Sequence, residues 1–263
     1  MAYILYEYKF PNSYEIEIKY PGNYGAKGEK RAAKEKATPE QILKQNQWIR
    51  ERNCRRLIKA NFVLGDYWVT LLYPKGTRKG IKEVKSDIRK LYKLLGYRYK
   101  RWWKSPFKWV NRIEIGAQGG IHCHMIMNHI RGADIDLELQ KLWNDITGGR
   151  AHFERFKGDE ESAHKVADYL VKPLTENQQK RCEELGGDVK ELSSYSHSRG
   201  NLEIPEPVKR VYKRRTLRKL IETGEPTPHP GYYIDKNSLV IGVNPFTGLS
   251  YCYYTEIRGD TEP

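Results

Sequence analysis

Residues 107–129 read FKWVNRIEIGAQGGIHCHMIMNH, and the fold turns on how this stretch is paired. Two apolar-rich runs, 107–116 and 121–129, flank the turn-forming AQGG, which is the pattern of a β-hairpin. Successive strand side chains point to opposite faces. In the second arm Ile121, Cys123, Met125 and Met127 share one face, and His122 and His124 share the other. In the first arm Ile113 and Ile115 take one face, so Arg112 and Glu114 take the other. Directly opposed residues point the same way, so Glu114 joins the histidines only if the connection has odd length. A loop of 116–120 sets Glu114 against His122, and a loop of 118–120 sets it against His124. Either register also gathers both apolar sets on one face. A His-His-carboxylate set can hold a divalent ion and leave positions open for phosphate oxygens and water.

The flanking sequence extends this hairpin into a domain. DYWVTLLY (66–73) is β-branched and aromatic and predicts a strand. A helix over 81–96 follows, with Val84, Ile88, Leu91 and Leu95 one turn apart and Gly96 as a C-cap signal. After the hairpin, Asp134 opens a helix with Ile135, Leu139, Leu142, Trp143 and Ile146 on one face, closed by Gly148 and Gly149. RAHFERF (150–156) predicts a strand, and 159–172 a helix that Pro173 stops. The order β-α-β-β-α-β-α predicts an α+β fold, an antiparallel sheet with helices packed on one face.

The ends are less patterned. Residues 1–20 hold one or two strands, and 21–40 read as a basic loop. Thr38 as N-cap and Pro39 at the first helical position start a helix running to about Lys59. Its Arg50, Arg52, Arg55 and Arg56 suit either a solvated face or one turned to nucleic acid. Residues 195–207 are loop-like, 208–220 carry seven basic residues and no acid and read as a basic helix, and 238–257 read as a hairpin around NPFTG. The expected organisation is a basic N-terminal extension (1–60), a central catalytic domain (61–180) and a C-terminal extension (181–263).

Composition narrows the function classes. Of 263 residues, 47 are Lys or Arg and 33 are Asp or Glu, a net charge of +14, which points to a polyanionic partner, nucleic acid first. No apolar run approaches the roughly 18 residues of a membrane span, so no membrane partner is expected. The N-terminus lacks the charged-then-apolar pattern of a secretory signal. The four cysteines form no CxxC pair, which argues against a zinc ribbon or a disulfide framework and for a reducing cytoplasm. No GxxxxGK[ST] occurs, which excludes a P-loop engine.

Two further features bear on chemistry. In the helix 159–172, Ala163, Val166, Ala167, Leu170 and Val171 form the apolar face. Tyr169 falls roughly 130° from its centre, at ~100° per residue. Lys172 lies at i+3, so a phenol and an ammonium are neighbours on the exposed side, a nucleophile with a charge partner. Tyr195, in the loop-like YSHSRG, is the competing tyrosine. The segment 93–109 interleaves cations with aromatics. Arg98, Lys100, Arg101 and Lys104 suit phosphates, and Trp102 and Trp103 suit base stacking. Lys209, Arg210, Lys213, Arg214 and Arg215 in the basic run form a second phosphate-binding candidate.

These motifs together resemble the HUH endonucleases, in particular the single-tyrosine rolling-circle replication initiator (Rep) proteins of bacterial plasmids, phages and mobile elements. WVTLLY (68–73) matches the family's first strand, with Leu72 where Thr is common. IHCHMIM matches its His-hydrophobic-His strand, and Tyr169-Leu170-Val171-Lys172 its Tyr-x-x-Lys helix. The resemblance covers about 66–172. It implies an RRM/ferredoxin-like HUH fold and a metal-dependent DNA endonuclease and strand transferase. It further implies Mg²⁺ or Mn²⁺ on His122, His124 and Glu114, Tyr169 as nucleophile and Lys172 as its helper. The implied partners are single-stranded DNA or an origin hairpin, with a separate host helicase and polymerase. A single-tyrosine transposase or relaxase would share the chemistry, although a relaxase typically clusters three histidines. A non-catalytic RRM-like nucleic-acid-binding protein fits the charge and aromatics but gives no reason for Glu114 and the histidines to converge.

Overall fold

The computed structural model describes residues 3–20, 38–77, 79–116, 120–244 and 249–259. The chain divides into two compact units, Gln45–Glu203 and a second formed by Met1–Lys44 with Ile204–Pro263. The elements in chain order are β1 (Tyr3–Lys9), β2 (Ser13–Lys19), α1 (Pro39–Asn61), β3 (Tyr67–Leu72), α2 (Ile81–Arg101), β4 (Trp109–Ile115), β5 (Ile121–Met127), α3 (Ile135–Thr147), β6 (Arg150–Arg155) and α4 (Glu160–Val171). They continue with α5 (Glu176–Glu184), α6 (Val189–Leu192), β7 (Ser196–His197), β8 (Val208–Tyr212), α7 (Arg214–Thr223), β9 (Tyr232–Ile234), β10 (Val240–Asn244) and β11 (Leu249–Arg258). The α+β class read from the sequence is the observed one.

In the unit Gln45–Glu203 the sheet order is β6-β3-β5-β4-β7, and its pairings are antiparallel. Of the two registers open to the hairpin, the first is realised. Glu114 faces His122 and Ile113 faces Cys123, and the Gly116 N–H donates to the Gly120 carbonyl at 2.7 Å. Residues 117–119 of the connection lie outside the described residues. Tyr67, Val69, Leu71, Cys123, Met125 and Met127 pack against Val84, Leu91 and Leu95 of α2 and Ile135, Leu139 and Trp143 of α3. Full burial of each aliphatic side chain contributes roughly 1.5–3 kcal/mol.

The opposite face is covered too, a difference from the one-sided packing expected. Val110 and Ile126 meet Cys54, Leu57 and Ile58 of α1 and Ala163, Val166, Ala167 and Leu170 of α4. The apolar turn of α1 lies at its C-terminal end, where the flanking arginines obscure it in the sequence. Caps fix both helices. Thr38 and Gln41 exchange reciprocal bonds at the start of α1, at 2.9 and 3.2 Å. The Asp159 carboxylate accepts the Ser162 N–H at 2.7 Å at the start of α4.

The second unit is a six-stranded sheet, β10-β11-β2-β1-β8 with β9 also on β11. Ile16, Ile18, Cys252 and Tyr254 form its core with Leu217 and Leu220 of α7. The N-terminal and C-terminal segments are thus strands of one sheet. The expected hairpin is β10–β11, with residues 245–248 at its tip outside the described residues. The run 208–220 is corrected. Its first five residues form an edge strand on β1, because Val208, Val211 and Tyr212 suit extended pairing, and the helix starts only at Arg214. Most of the basic loop expected over 21–40, residues 21–37, lies outside the described residues. Among the described residues, no helix is long and apolar enough to cross a membrane.

Gly148 caps α3 with φ +69°, and Gly149 sits where the chain enters β6. A Cβ at Gly149 would run into the Leu72 carbonyl and lie 2.6 Å from Trp143 Nε1, the group that donates to that carbonyl at 2.9 Å. Gly149→Ala is expected to lower stability by about 1–3 kcal/mol through overpacking. The check is a urea melt, in which the midpoint falls while the slope stays constant.

Candidate metal and nucleophile site

The polar face of β4 and β5 carries the site. Glu114 Oε2 lies 2.9 Å from His124 Nε2 and 3.5 Å from His122 Nε2. One ligand atom from each residue falls within 4.8 Å of the others, so the cluster could hold a metal ion. Hydrogen bonds from His122 and His124 hold the Glu114 carboxyl well below the usual carboxylate range, against the upward push of burial. It is therefore an ionised ligand at neutral pH. Adjacent ligands about 2.1 Å from one ion stand roughly 3 Å apart, close to the observed separations. The residues fit a divalent ion.

Side chains behind the cluster orient it. Thr70, opposite His124 on β3, places its hydroxyl 3.1 Å from His124 Nδ1. A proton on Nδ1, donated to Thr70, would leave the Nε2 lone pair facing Glu114 and a metal. The Trp68 indole lies parallel to the His124 ring, with centroids 5.6 Å apart. Tyr169 meets that ring edge-on at 4.9 Å and is 50% exposed. Chain pairing thus brings Tyr169 to the histidines while leaving it open to solvent. Lys172 is exposed at the C-terminal cap of α4.

Arg112 shares this face and is buried. Its Nε donates to the Leu192 carbonyl at 3.1 Å, and an NH group donates to the Tyr169 carbonyl at 3.4 Å. Burial lowers its pKa, and the Glu114 charge opposes that shift. Sequence reasoning placed Arg112 on the correct face but gave it no role, and it gave none to Thr70. Strand parity was the available signal for both.

The competing Tyr195 is packed against the α1–α4 core, and burial pushes its phenol up to about 12. The basic-aromatic segment lies toward the other end of β4. Trp109 pairs with Met127, five residues from the Glu114–His122 pair, or ~17 Å along the strand. There Lys100, Arg101 and Lys104 are exposed, as is Trp102. Arg98 is paired with Glu138 and lies over Trp102, and Trp103 packs edge-on against buried Tyr99. In the second unit Lys209, Lys213 and Arg215 are exposed, and Arg210 pairs with Glu7 at 3.2 Å. The Arg214 side chain lies outside the described residues.

Residues 66–176 match the family model for replication-associated proteins of the ORF2 type, consistent with a Rep-type replication initiator. The match spans β3 to the first residue of α5, so it holds Thr70, Arg112, the cluster, Tyr169 and Lys172 in one segment covering less than half of the chain. Comparison with curated proteins gives no match, and neither does comparison with solved structures.

Titration calorimetry with Mn²⁺ should give one site in the wild type and none in His124→Ala. Thr70→Val keeps the side-chain shape and loses the hydroxyl. It should weaken binding about 10–100-fold, the usual effect of removing an outer-shell partner.

Proposed function

We propose that this chain nicks and rejoins single-stranded DNA at a replication origin through a 5′-phosphotyrosine on Tyr169, initiating rolling-circle replication. The observation that carries this reading is the half-exposed Tyr169 ring, 4.9 Å from His124 in a two-histidine, one-carboxylate cluster. A metal bound there supplies Lewis-acid polarisation of the scissile phosphate. His122, His124 and Glu114 would hold Mg²⁺ or Mn²⁺, and two imidazoles favour Mn²⁺ because Mg²⁺ prefers oxygen ligands.

The chain's own residues do the rest. The Tyr169 oxygen attacks phosphorus and loses its proton. The P–O3′ bond breaks, and the leaving oxygen takes up a proton as a free 3′-OH. One ester replaces another, so the reverse attack by a 3′-OH reseals the strand without ATP. Lys172, one helical turn on, offsets negative charge at the phenol and phosphate. Arg112 holds the backbone of Tyr169 in place. The replication-associated family match supports initiation over transposition or mobilisation.

Incubation of the protein with Mn²⁺ and origin-type oligonucleotides, followed by mass spectrometry, tests this directly. Wild type should form an adduct on a peptide containing Tyr169, and excess EDTA should abolish it. Tyr169→Phe should bind DNA yet give neither cleavage nor adduct, while Tyr195→Phe should retain both. An adduct with Tyr169→Phe would overturn the assignment.

A further inference from the structure

A cavity of about 640 Å³ opens beside the C-terminal end of α2, between the 102–107 turn, the start of β4 and the loop after β7. It lies at the end of β4 remote from the metal cluster. Three cations line it, Lys100, Lys104 and Arg199, and no carboxylate does among the described residues. None of the three has an ion pair or side-chain hydrogen bond to a described residue, so each ammonium or guanidinium is available to a ligand. Trp109 also lines it, with its ring centroid 4.3 Å from that of Tyr92.

Two observations indicate a built site rather than a surface dip. Lys104 has φ +51°, the one positive φ outside glycine among the described residues. Lysine seldom adopts that conformation, and such strain clusters at ligand sites. The walls are also tied together. Asn201 Nδ2 donates to the Phe107 carbonyl at 2.6 Å, and the Ser198 N–H donates to the Trp109 carbonyl at 3.0 Å. The Trp109 N–H in turn donates to Ser198 Oγ at 3.3 Å. Arg199 is thereby held between two anchored residues, facing the lysines across the cavity.

We infer that this cavity is a second single-stranded DNA site, in which Lys100, Lys104 and Arg199 grip backbone phosphates and Trp109 offers a stacking surface to a base. Cations alternating with a fixed aromatic are the arrangement that tracks a single strand. The inference rests on the reading of DNA as substrate and extends it. The strand is held about 17 Å from the cleavage point as well as at it, so the protein gains register on the DNA from nucleotides it does not cut.

The test uses the full-length variant Lys100→Gln/Lys104→Gly/Arg199→Gln. Glycine accepts the positive φ, so loss of binding cannot be ascribed to new strain. Anisotropy with labelled poly(dT) should show about tenfold or greater weakening. The slope of log affinity against log salt should become shallower by about 2, three contacts at ~0.7 each. Bromouracil-substituted DNA should photocrosslink to peptides from 96–109 or 198–201. Unchanged affinity and slope, or crosslinks confined to the Tyr169 region, would overturn the inference. Mn²⁺ calorimetry on the same variant reports the cluster alone and should match wild type, so failure at this cavity is distinguishable from failure of the cleavage reading. A ligand limited to free nucleotides, with no response to poly(dT), would also overturn it.

Discussion

Glu114 faces His122 across the β4–β5 ladder, and the rest of the site depends on that pairing. Side-chain period in a strand is two, so a slip of one residue would turn Glu114 to the α2–α3 core and expose Ile113 and Ile115. The register is held by that core, in which Cys123, Met125 and Met127 are buried against two helices. Hydrophobic packing on one face thus fixes the electrostatics of the other. The apolar contacts of Met125 specify the position of His124 as firmly as any hydrogen bond does.

The second constraint is the end of α4. The last carbonyls of a helix have no partner within it. Here the Tyr169 carbonyl accepts from Arg112 and the Val171 carbonyl accepts from Gln47 Nε2 at 2.8 Å. A strand residue and an α1 residue therefore anchor the turn that carries the tyrosine. Arg112 contributes because it is buried. Its removal would leave two carbonyls without a donor, each costing about 1–3 kcal/mol. Tyr169 is consequently a solvent-exposed side chain on a fixed backbone, which suits a group that must reach a substrate without wandering.

What could be read from sequence followed short-range pattern. Alternation in 109–127 gave the two faces, and the 3.6 period in α2, α3 and α4 gave their buried stripes. Long-range pairing was not readable. Arg98 looked available to phosphate, yet Glu138, forty residues on, neutralises it. In α1 the buried set of Cys54, Leu57 and Ile58 was hidden among arginines. The strand β8 lacks a clean alternation because it is an edge, exposed along most of its length, and its partner β1 lies two hundred residues earlier. Thr70 was visible as a residue but not as a partner, since only the β3–β5 register sets it against His124.

Burial is graded along the face that carries the cluster, and the gradient makes chemical sense of the composition. Val110 and Ile126 are fully buried, His124 is nearly so, and Glu114 and His122 are partly open. Charges in such a rim are less screened than in bulk water, yet a strand can still reach them. One carboxylate and two neutral imidazoles give the cluster a charge of −1, so a divalent ion would leave a net charge of +1. A second carboxylate would bring that sum to zero and weaken the pull on a phosphodiester, which carries −1. Two histidines with one glutamate therefore keep the centre cationic toward DNA. The wider excess of +14 works in the same sense at longer range, where salt screens it within about 10 Å. The cluster governs the reacting phosphate, and the dispersed lysines and arginines govern encounter with the strand.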